Sequence, residues 1–318
     1  MLSVMTSVPT TPRTLDGLAI AAEIKSDVAL QVAAAKREGY QPGLAVVLVG
    51  EVPASQIYVR SKVKTCAELG IYSEMHTPAA SATTEDLLAL VDSLNHNDAI
   101  DGILVQLPLP AHVDTARLLE AVTPAKDVDG FHPINAGRLL NGSPDEQVLA
   151  PCTPAGILEI LRRSGIAIAG ARAVVLGRSN IVGKPVAAML INASATVTVC
   201  HSKTRDLASV TREADILVAA IGRAGYVTAE MVRPGATLID VGINRIETEA
   251  ELNRFFPNDA ARRESFAKRG STIVGDIDPA AFAVAGAFTP VPGGVGALTI
   301  AMLMSNTVKA ARLRRAGS

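Results

Sequence analysis

The feature that most constrains this chain is an alternation. Short apolar runs, most of them closed by Gly or Pro, are followed again and again by longer amphipathic stretches. GLAVVLVG (43–50), DGILVQLPLP (101–110), ARAVVLG (171–177), DILVAAIG (215–222) and ATLIDVG (236–242) read as buried strands. IYSEMH (71–76), ATVTVC (195–200) and STIVGD (271–276) read as further strands. Between them the periodicity predicts helices over 15–37, 53–70, 84–95, 114–121 and 154–163, then from 183, near 205–213, and to about Leu313 at the end of the chain. Thr83 or Thr84 is suited to cap the third of these, and Pro53 and Gly70 punctuate the second. Strands apolar on both faces and separated by helices build a parallel sheet covered by helices. Residues 123–152 are richer in Pro, Gly, Asn and Asp and read as loop and boundary, while charged residues 246–270 read as a surface excursion.

Composition narrows the function. With 48% hydrophobic and 19% charged residues the chain has ample material for a core. Aromatics are only 3% and Trp is absent, so the core must come from Ala, Val, Ile and Leu. A net charge of -1 argues against nucleic acid or an anionic membrane as partner. No apolar run is long enough to span a bilayer. The start, MLSVMTSVPTTPR, lacks the charged segment and apolar stretch of a secretory signal and reads as a frayed tail; its lack of acidic residues leaves a very short organellar presequence open. Cys66, Cys152 and Cys200 are far apart, without disulfide or metal spacing, which fits a reducing, cytoplasmic location. The five histidines show no ligand spacing, so no protein-bound metal is expected.

The strongest local signal is VVLGRSNIVGKPVAAML (174–190), a strand ending at Gly177, a turn through Arg178 and Ser179, and a helix from Gly183. A nucleotide-binding α/β fold places pyrophosphate at such a turn, against free N–H groups. The middle glycine of the usual fingerprint is Ser179 here, and the last sits one place late, so a plain tight turn also fits. The next strand ends in Cys200, His201, Ser202, Lys203, Thr204 and Arg205, with no acid before Asp206. NAD sites usually place a carboxylate there for the ribose, whereas hydroxyls and cations, with Arg178 adding charge, suit the 2′-phosphate of NADP. A solvated basic loop is the competing account of Lys203 and Arg205. Cys200 and His201 point to opposite faces of a strand and form no dyad.

Ser55, Tyr58 and Lys62 share one helix face. A tyrosine one turn before a lysine offers a stacking surface and a proton carrier; in a closed apolar pocket an amine exchanges protons near neutral pH. Spacing alone fits an ordinary exposed helix face as well.

These motifs belong to an ordered set: YVRSKVK (58–64), DGILVQLPLP (101–110), KDVDGFHPIN (126–135), PCTPAGI (151–157), VVLGRSNIVGKP (174–185), CHSKT (200–204), DVGINR (240–245) and TPVPGGVG (289–296). The set resembles the bifunctional methylenetetrahydrofolate dehydrogenase/cyclohydrolase family, of the FolD type, from about residue 15 to 310. The resemblance implies that NADP takes a hydride from methylenetetrahydrofolate and that water then opens the methenyl cation to formyltetrahydrofolate. It implies that Lys62 carries the proton of the hydrolytic step, that Tyr58 stacks on the folate, that Gln106 hydrogen-bonds Lys62, and that Asp129 binds the amino-pyrimidine edge. Gly177, Arg178, Ser179, Ser202 and Ile243 would line the NADP site, and Pro292 and Gly293 would lie near the folate. It further implies a homodimer. The bland alternatives are a strand-edge role for Gln106, turn formation for Asp127 and Asp129, helix entry for PVPGG, and a simple cap at Asp278–Pro279. Ala297 stands where the family commonly has proline, which would loosen the start of the last helix. The expected architecture is α/β with two domains, each a mostly parallel sheet flanked by helices, and a cleft between them. Residues 1–152 plus 291–318 would form the folate-binding catalytic domain, and 153–290 a Rossmann-type NADP-binding domain.

Overall fold

A computed structural model describes residues 11–50, 53–144 and 147–316; the side chains of Pro53, Ala54, Ser55 and Ile57 lie outside the described residues. The described chain opens with β1 (Arg13–Thr14) and α1 (Gly17–Arg37). It divides into two compact α/β units: residues 21–155 with 299–318, and residues through Ile20 with 156–298.

In the first of these, β2 (Gly43–Val47) lies between β3 (Tyr72–His76) and β4 (Gly102–Val105), and both neighbours run parallel to it. The helices α2 (Pro53–Leu69), α3 (Thr84–His96), α4 (Thr115–Ala121) and α5 (Pro133–Leu140) belong to this three-stranded unit. Helix α3 begins where it does because Thr83 and Asp86 form a capping box, each side chain taking the other's backbone N–H. Its Leu87, Val91 and Leu94 fall at helical spacing and bury against Ala45, Val47, Ile103 and Val105. Helix α5 occupies part of the stretch that reads as loop. It is short, and Pro133 with the His132 cap starts it; only Asn135 and Leu139 bury, too few to show as a periodic pattern.

Beyond the residues through Ile20, the second unit resumes within α6 (Cys152–Arg163). It contains β5 (Arg172–Leu176), α7 (Gly183–Asn192), β6 (Thr196–Cys200), α8 (Leu207–Thr211), β7 (Ile216–Ala219), β8 (Thr237–Asp240) and, after a hairpin, β11 (Ala287–Phe288). The sheet order is β1-β11-β8-β7-β5-β6, and every neighbouring pair is parallel. The tail therefore does not fray from Arg13 onward, because β1 completes one edge of this sheet. STIVGD does not join the parallel sheet. Its β10 (Thr272–Val274) pairs antiparallel with β9 (Asn244–Ile246). The stretch between them folds as α9 (Glu249–Phe255) and α10 (Ala260–Arg269). It is more than a charged excursion: Ile246, Leu252, Phe255, Phe256, Phe266 and Val274 form a core of their own. Asp278 caps a 3₁₀ turn over Pro279–Val284.

The last helix, α11 (Val295–Ala316), runs from the second unit back into the first. There Arg314 and Arg315 donate to the fully buried Asp101 at 2.5 and 2.8 Å, and Gly43 N–H reaches its other oxygen at 3.1 Å. Among the described residues no helix is long and apolar enough to cross a membrane.

Candidate functional site

The three-stranded unit collects its reactive side chains around its parallel strands. Lys62 lies one turn beyond Tyr58 on α2, 8% exposed, and its Nζ donates to Gln106 Oε1 at 2.8 Å. Gln106 follows β4 directly, and its backbone N–H continues the ladder to Val47 O at 2.9 Å. Its own Nε2 donates to Leu107 O at 2.7 Å, so the amide oxygen is the end that faces Lys62. Gln106 is thus a positioned acceptor rather than a strand-edge cap. Tyr58 is 52% exposed, an aromatic ring open to solvent one turn from a buried amine. The side chain of Ser55, the third residue of that face, lies outside the described residues.

The two aspartates of KDVDG have different work. Asp127 is a turn former: its carboxylate accepts the N–H groups of Phe131 and His132 and the amide of Asn135, at 3.2, 2.8 and 2.9 Å. Among the described residues Asp129 has no hydrogen-bond donor. Burial pushes its carboxyl up to about 7; Lys62 pulls it down and Asp127 pushes it up. It is a partly open acceptor with an unfilled pair of oxygens. Gly130 is required beside it, with φ of 71° and a would-be Cβ only 2.5 Å from Pro151 N.

Sequence reading missed the residue that holds this loop. Asn306 on α11 is 2% exposed and donates to Val128 O and to Ala150 O, both at 2.8 Å. An amide between Leu303 and Ala310 on one helix face was the available signal.

The raised carboxyl has a consequence for stability. An unfolded aspartate titrates near ~4, whereas Asp129 in the fold keeps its proton up to about 7. The folded state then binds more protons across that window, so this group's contribution to stability falls as pH rises through it. Asp129→Asn is expected to flatten the fall, leaving the part owed to Asp240, in urea unfolding at about pH 5 and about pH 8. An unchanged slope would contradict the assignment.

In the six-stranded unit, Gly177 ends β5 with φ of 118°, and a Cβ there would lie 2.2 Å from Ala220 O. A Cβ on Gly183 would lie 2.2 Å from Gly177 O. Both positions let backbone approach backbone where only glycine fits. Ser179 Oγ accepts Val182 N–H and Gly183 N–H at 3.2 and 3.3 Å, which takes the place of an ordinary helix cap. Among the described residues, the N–H groups of Arg178, Ser179 and Asn180 donate to no protein acceptor. They are available to an anion.

Gly177 N–H pairs with Cys200 O at 2.9 Å, so the turn after β6 starts beside this one. Thr204 Oγ1 accepts His201 N–H, and His201 Nδ1 accepts Lys203 N–H, at 2.9 and 3.1 Å. His201 is a turn residue, and Cys200 is buried with its thiol pushed up. Ser202, Lys203 and Arg205 are exposed, as is Arg178.

Ile243, 54% exposed, follows β8. Behind it stand two buried carboxylates that sequence reading did not single out. Asp276 accepts the N–H groups of Ile221, Gly222 and Arg223 and the amide of Asn244. Asp240 accepts those of Gly242, Asp276 and Ile277, and burial pushes its carboxyl up to about 7. Both carboxylates serve backbone order, and a buried Asp carries no local sequence signal.

Pro292 and Gly293 lie in this same unit, in a tight turn where Gly293 has φ of 102°. Ala297 N–H donates to Gly294 O at 3.1 Å, a bond proline cannot make, so the start of α11 is held rather than loosened. Among the described residues no group of three or more His, Cys, Asp and Glu could hold a metal ion.

Known proteins resemble this chain over nearly its whole length. The model of the tetrahydrofolate dehydrogenase/cyclohydrolase catalytic domain matches residues 15–129, and that of its NAD(P)-binding domain matches 151–315. The bifunctional protein FolD of Koribacter versatilis is 64% identical over 301 residues, covering 95% of this chain and 97% of the relative. That of Solibacter usitatus is 59% identical, with 96% and 99% covered. The crystal structure of the Campylobacter jejuni bifunctional FolD enzyme is 44% identical with a TM-score of 0.85, covering 96% of this chain and all of that one. The Trypanosoma brucei FolD, complexed with NADP cofactor and inhibitor, is 38% identical with a TM-score of 0.85, covering 96% and 98%.

Proposed function

The chain belongs to the tetrahydrofolate dehydrogenase/cyclohydrolase family, and on that premise we propose which of its residues carry each reaction. The enzyme is bifunctional: it oxidises methylenetetrahydrofolate to the methenyl cation with NADP and hydrolyses that cation to formyltetrahydrofolate. When bound, NADP supplies the hydride acceptor. The residues of the first turn fit it: free N–H groups at 178–180, glycines where a Cβ would collide, and a cation at Arg178. Gly177, Arg178 and Ser179 take the pyrophosphate and its surroundings, Ser202 and Arg178 the 2′-phosphate, and Ile243 the apolar side of the cofactor.

For folate, Asp129 accepts paired N–H donors of the amino-pyrimidine edge, the one partner its carboxylate lacks in the protein. Tyr58 stacks on the substrate, and Pro292 and Gly293 line it. The protein's part in the oxidation is to hold the two reacting carbons at near-attack distance, which can supply roughly 7–11 kcal/mol of a barrier. In the hydrolysis, water adds to the methenyl carbon and must lose a proton, the ring nitrogen must gain one as its C–N bond breaks, and the adduct's hydroxyl releases its own proton to solvent as the formyl carbonyl forms. Lys62 Nζ takes the first proton and returns it to the nitrogen. Gln106 Oε1 occupies one N–H of that amine and so directs the rest of the group.

The observation that carries the assignment is the part-buried Lys62–Gln106 hydrogen bond, one helical turn from the open Tyr58 ring. The enzyme is taken to act as a cytoplasmic homodimer. Three free, buried cysteines support a reducing compartment. An exposed sheet edge at β6, with Val199 39% and nearby Ile191 57% exposed, supports self-association.

Purified protein given methylenetetrahydrofolate and NADP is expected to form NADPH without lasting accumulation of the methenyl cation. Absence of NADPH would end this reading.

A further inference from the structure

The α9–α10 segment takes no part in the functions assigned so far, yet it carries a guanidinium with an unusual set of partners. Arg262, in the first turn of α10, keeps only 20% of its side chain exposed. Its Nη1 donates to Ile273 O at 2.6 Å and its Nη2 donates to Val291 O. The guanidinium lies over the Phe256 ring at 4.1 Å, and its Nε stands 3.6 Å from the Asp259 carboxylate. Burying a guanidinium is costly unless its donors are satisfied. Here two of them go to backbone carbonyls outside the helix. One of these, Val291, immediately precedes Pro292 and Gly293.

That turn is packed against a second element as well. Gly17, at the start of α1, packs so closely that a Cβ there would lie 2.1 Å from Gly294 O. Gly294 in turn has room for no side chain, since its Cβ would meet Pro290 O at 2.5 Å. The 290–294 turn is therefore held both by close glycine packing and by the Arg262 fork. The helical segment is itself anchored, because its own aromatic core packs on Ala224 and on Gly225, where a Cβ would be 2.2 Å from Phe255 Cε1.

We infer that Arg262 is a positioning residue for the folate substrate: by fixing the Val291 carbonyl it sets the Pro292–Gly293 turn, which makes the α9–α10 segment part of the substrate-binding apparatus. This rests on the proposed folate contact of Pro292 and Gly293. A planar fork reaching two carbonyls in fixed directions suits such a task, and neither a flexible ammonium nor an apolar side chain reproduces it.

The test is the steady-state kinetics of the full-length Arg262→Met, Arg262→Lys and Gly293→Ala proteins. Arg262→Met is expected to raise KM for methylenetetrahydrofolate about tenfold, with kcat and the KM for NADP changed less than about twofold. Arg262→Lys, which keeps a donor for one carbonyl, is expected to fall between it and the unsubstituted enzyme. If Arg262→Met does not fold, the same split read on Arg262→Lys decides the matter. A folded Arg262 variant with unaltered folate KM overturns the inference. If Gly293→Ala raises folate KM in that case, the folate contact stands and only the role of Arg262 falls; if it too is without effect, the contact itself is wrong. Equal loss for both substrates would mark Arg262 as merely structural and would also overturn the inference.

Discussion

Replacing Lys62 by Met is expected to lower the hydrolysis of methenyltetrahydrofolate by about three orders of magnitude or more, within the range a positioned acid–base group contributes, while hydride transfer keeps much of its rate. The split follows from the chemistry of the two steps. Hydride leaves a carbon whose adjacent nitrogen stabilises the cation, so no protein proton is needed. Hydrolysis needs a proton taken from water and one delivered to nitrogen, and Lys62 Nζ is the buried amine held at 2.8 Å from Gln106 for that purpose. Met keeps the length and apolar packing of the lysine stem, so a site 8% exposed should tolerate it. Initial rates with each substrate separately, on protein whose unfolding midpoint has been checked, measure the split. Equal losses in both reactions would remove Lys62 from the hydrolytic role.

Arg178→Ala is expected to weaken NADP about tenfold to a hundredfold, from the roughly 1.5–3 kcal/mol of a hydrogen bond to a charged group, and to change NAD less than about twofold. Arg178 is exposed beside the Gly177 turn, and the neighbouring β6 turn presents Ser202 and Lys203. Because these groups face solvent, the difference between the two cofactors should shrink as salt is added. Titration of each cofactor against the variant, at low and high salt, measures it. Equal weakening of NADP and NAD would mean that Arg178 touches no 2′-phosphate.

The parts legible in the sequence are those whose signal is local. The parallel strands stand out because they are apolar on both faces, as in β2, β4 and β7, each buried throughout. The strand–glycine–helix turn at 177–183 and the Tyr58–Lys62 spacing depend on near neighbours, and they fall where expected. The illegible parts depend on partners far along the chain. β1 and β11 are two residues each, too short for any periodicity. The core of α9–α10 hides because Phe266 is the one buried residue in a helix otherwise rich in charge. Asp240, Asp276 and Asn306 are polar residues whose roles lie in backbone groups tens to more than a hundred positions away, as with Asn306 and Val128 at a separation of 178. Neither pattern nor propensity reports such contacts. The two aspartates of KDVDG also separate only in the fold, where Asp127 closes a turn and Asp129 is left with open oxygens.

At the centre of the account, one amine on α2 discharges the cation that the oxidation produces. A single time course settles this most directly: NADPH and methenyl-cation absorbance are followed together after mixing Lys62→Met protein with methylenetetrahydrofolate and NADP. The two signals should rise in step, mole for mole, in the variant, whereas in the unsubstituted enzyme the cation should lag far behind NADPH. A variant in which the cation still disappears as fast as in the unsubstituted enzyme would show that another group carries the proton.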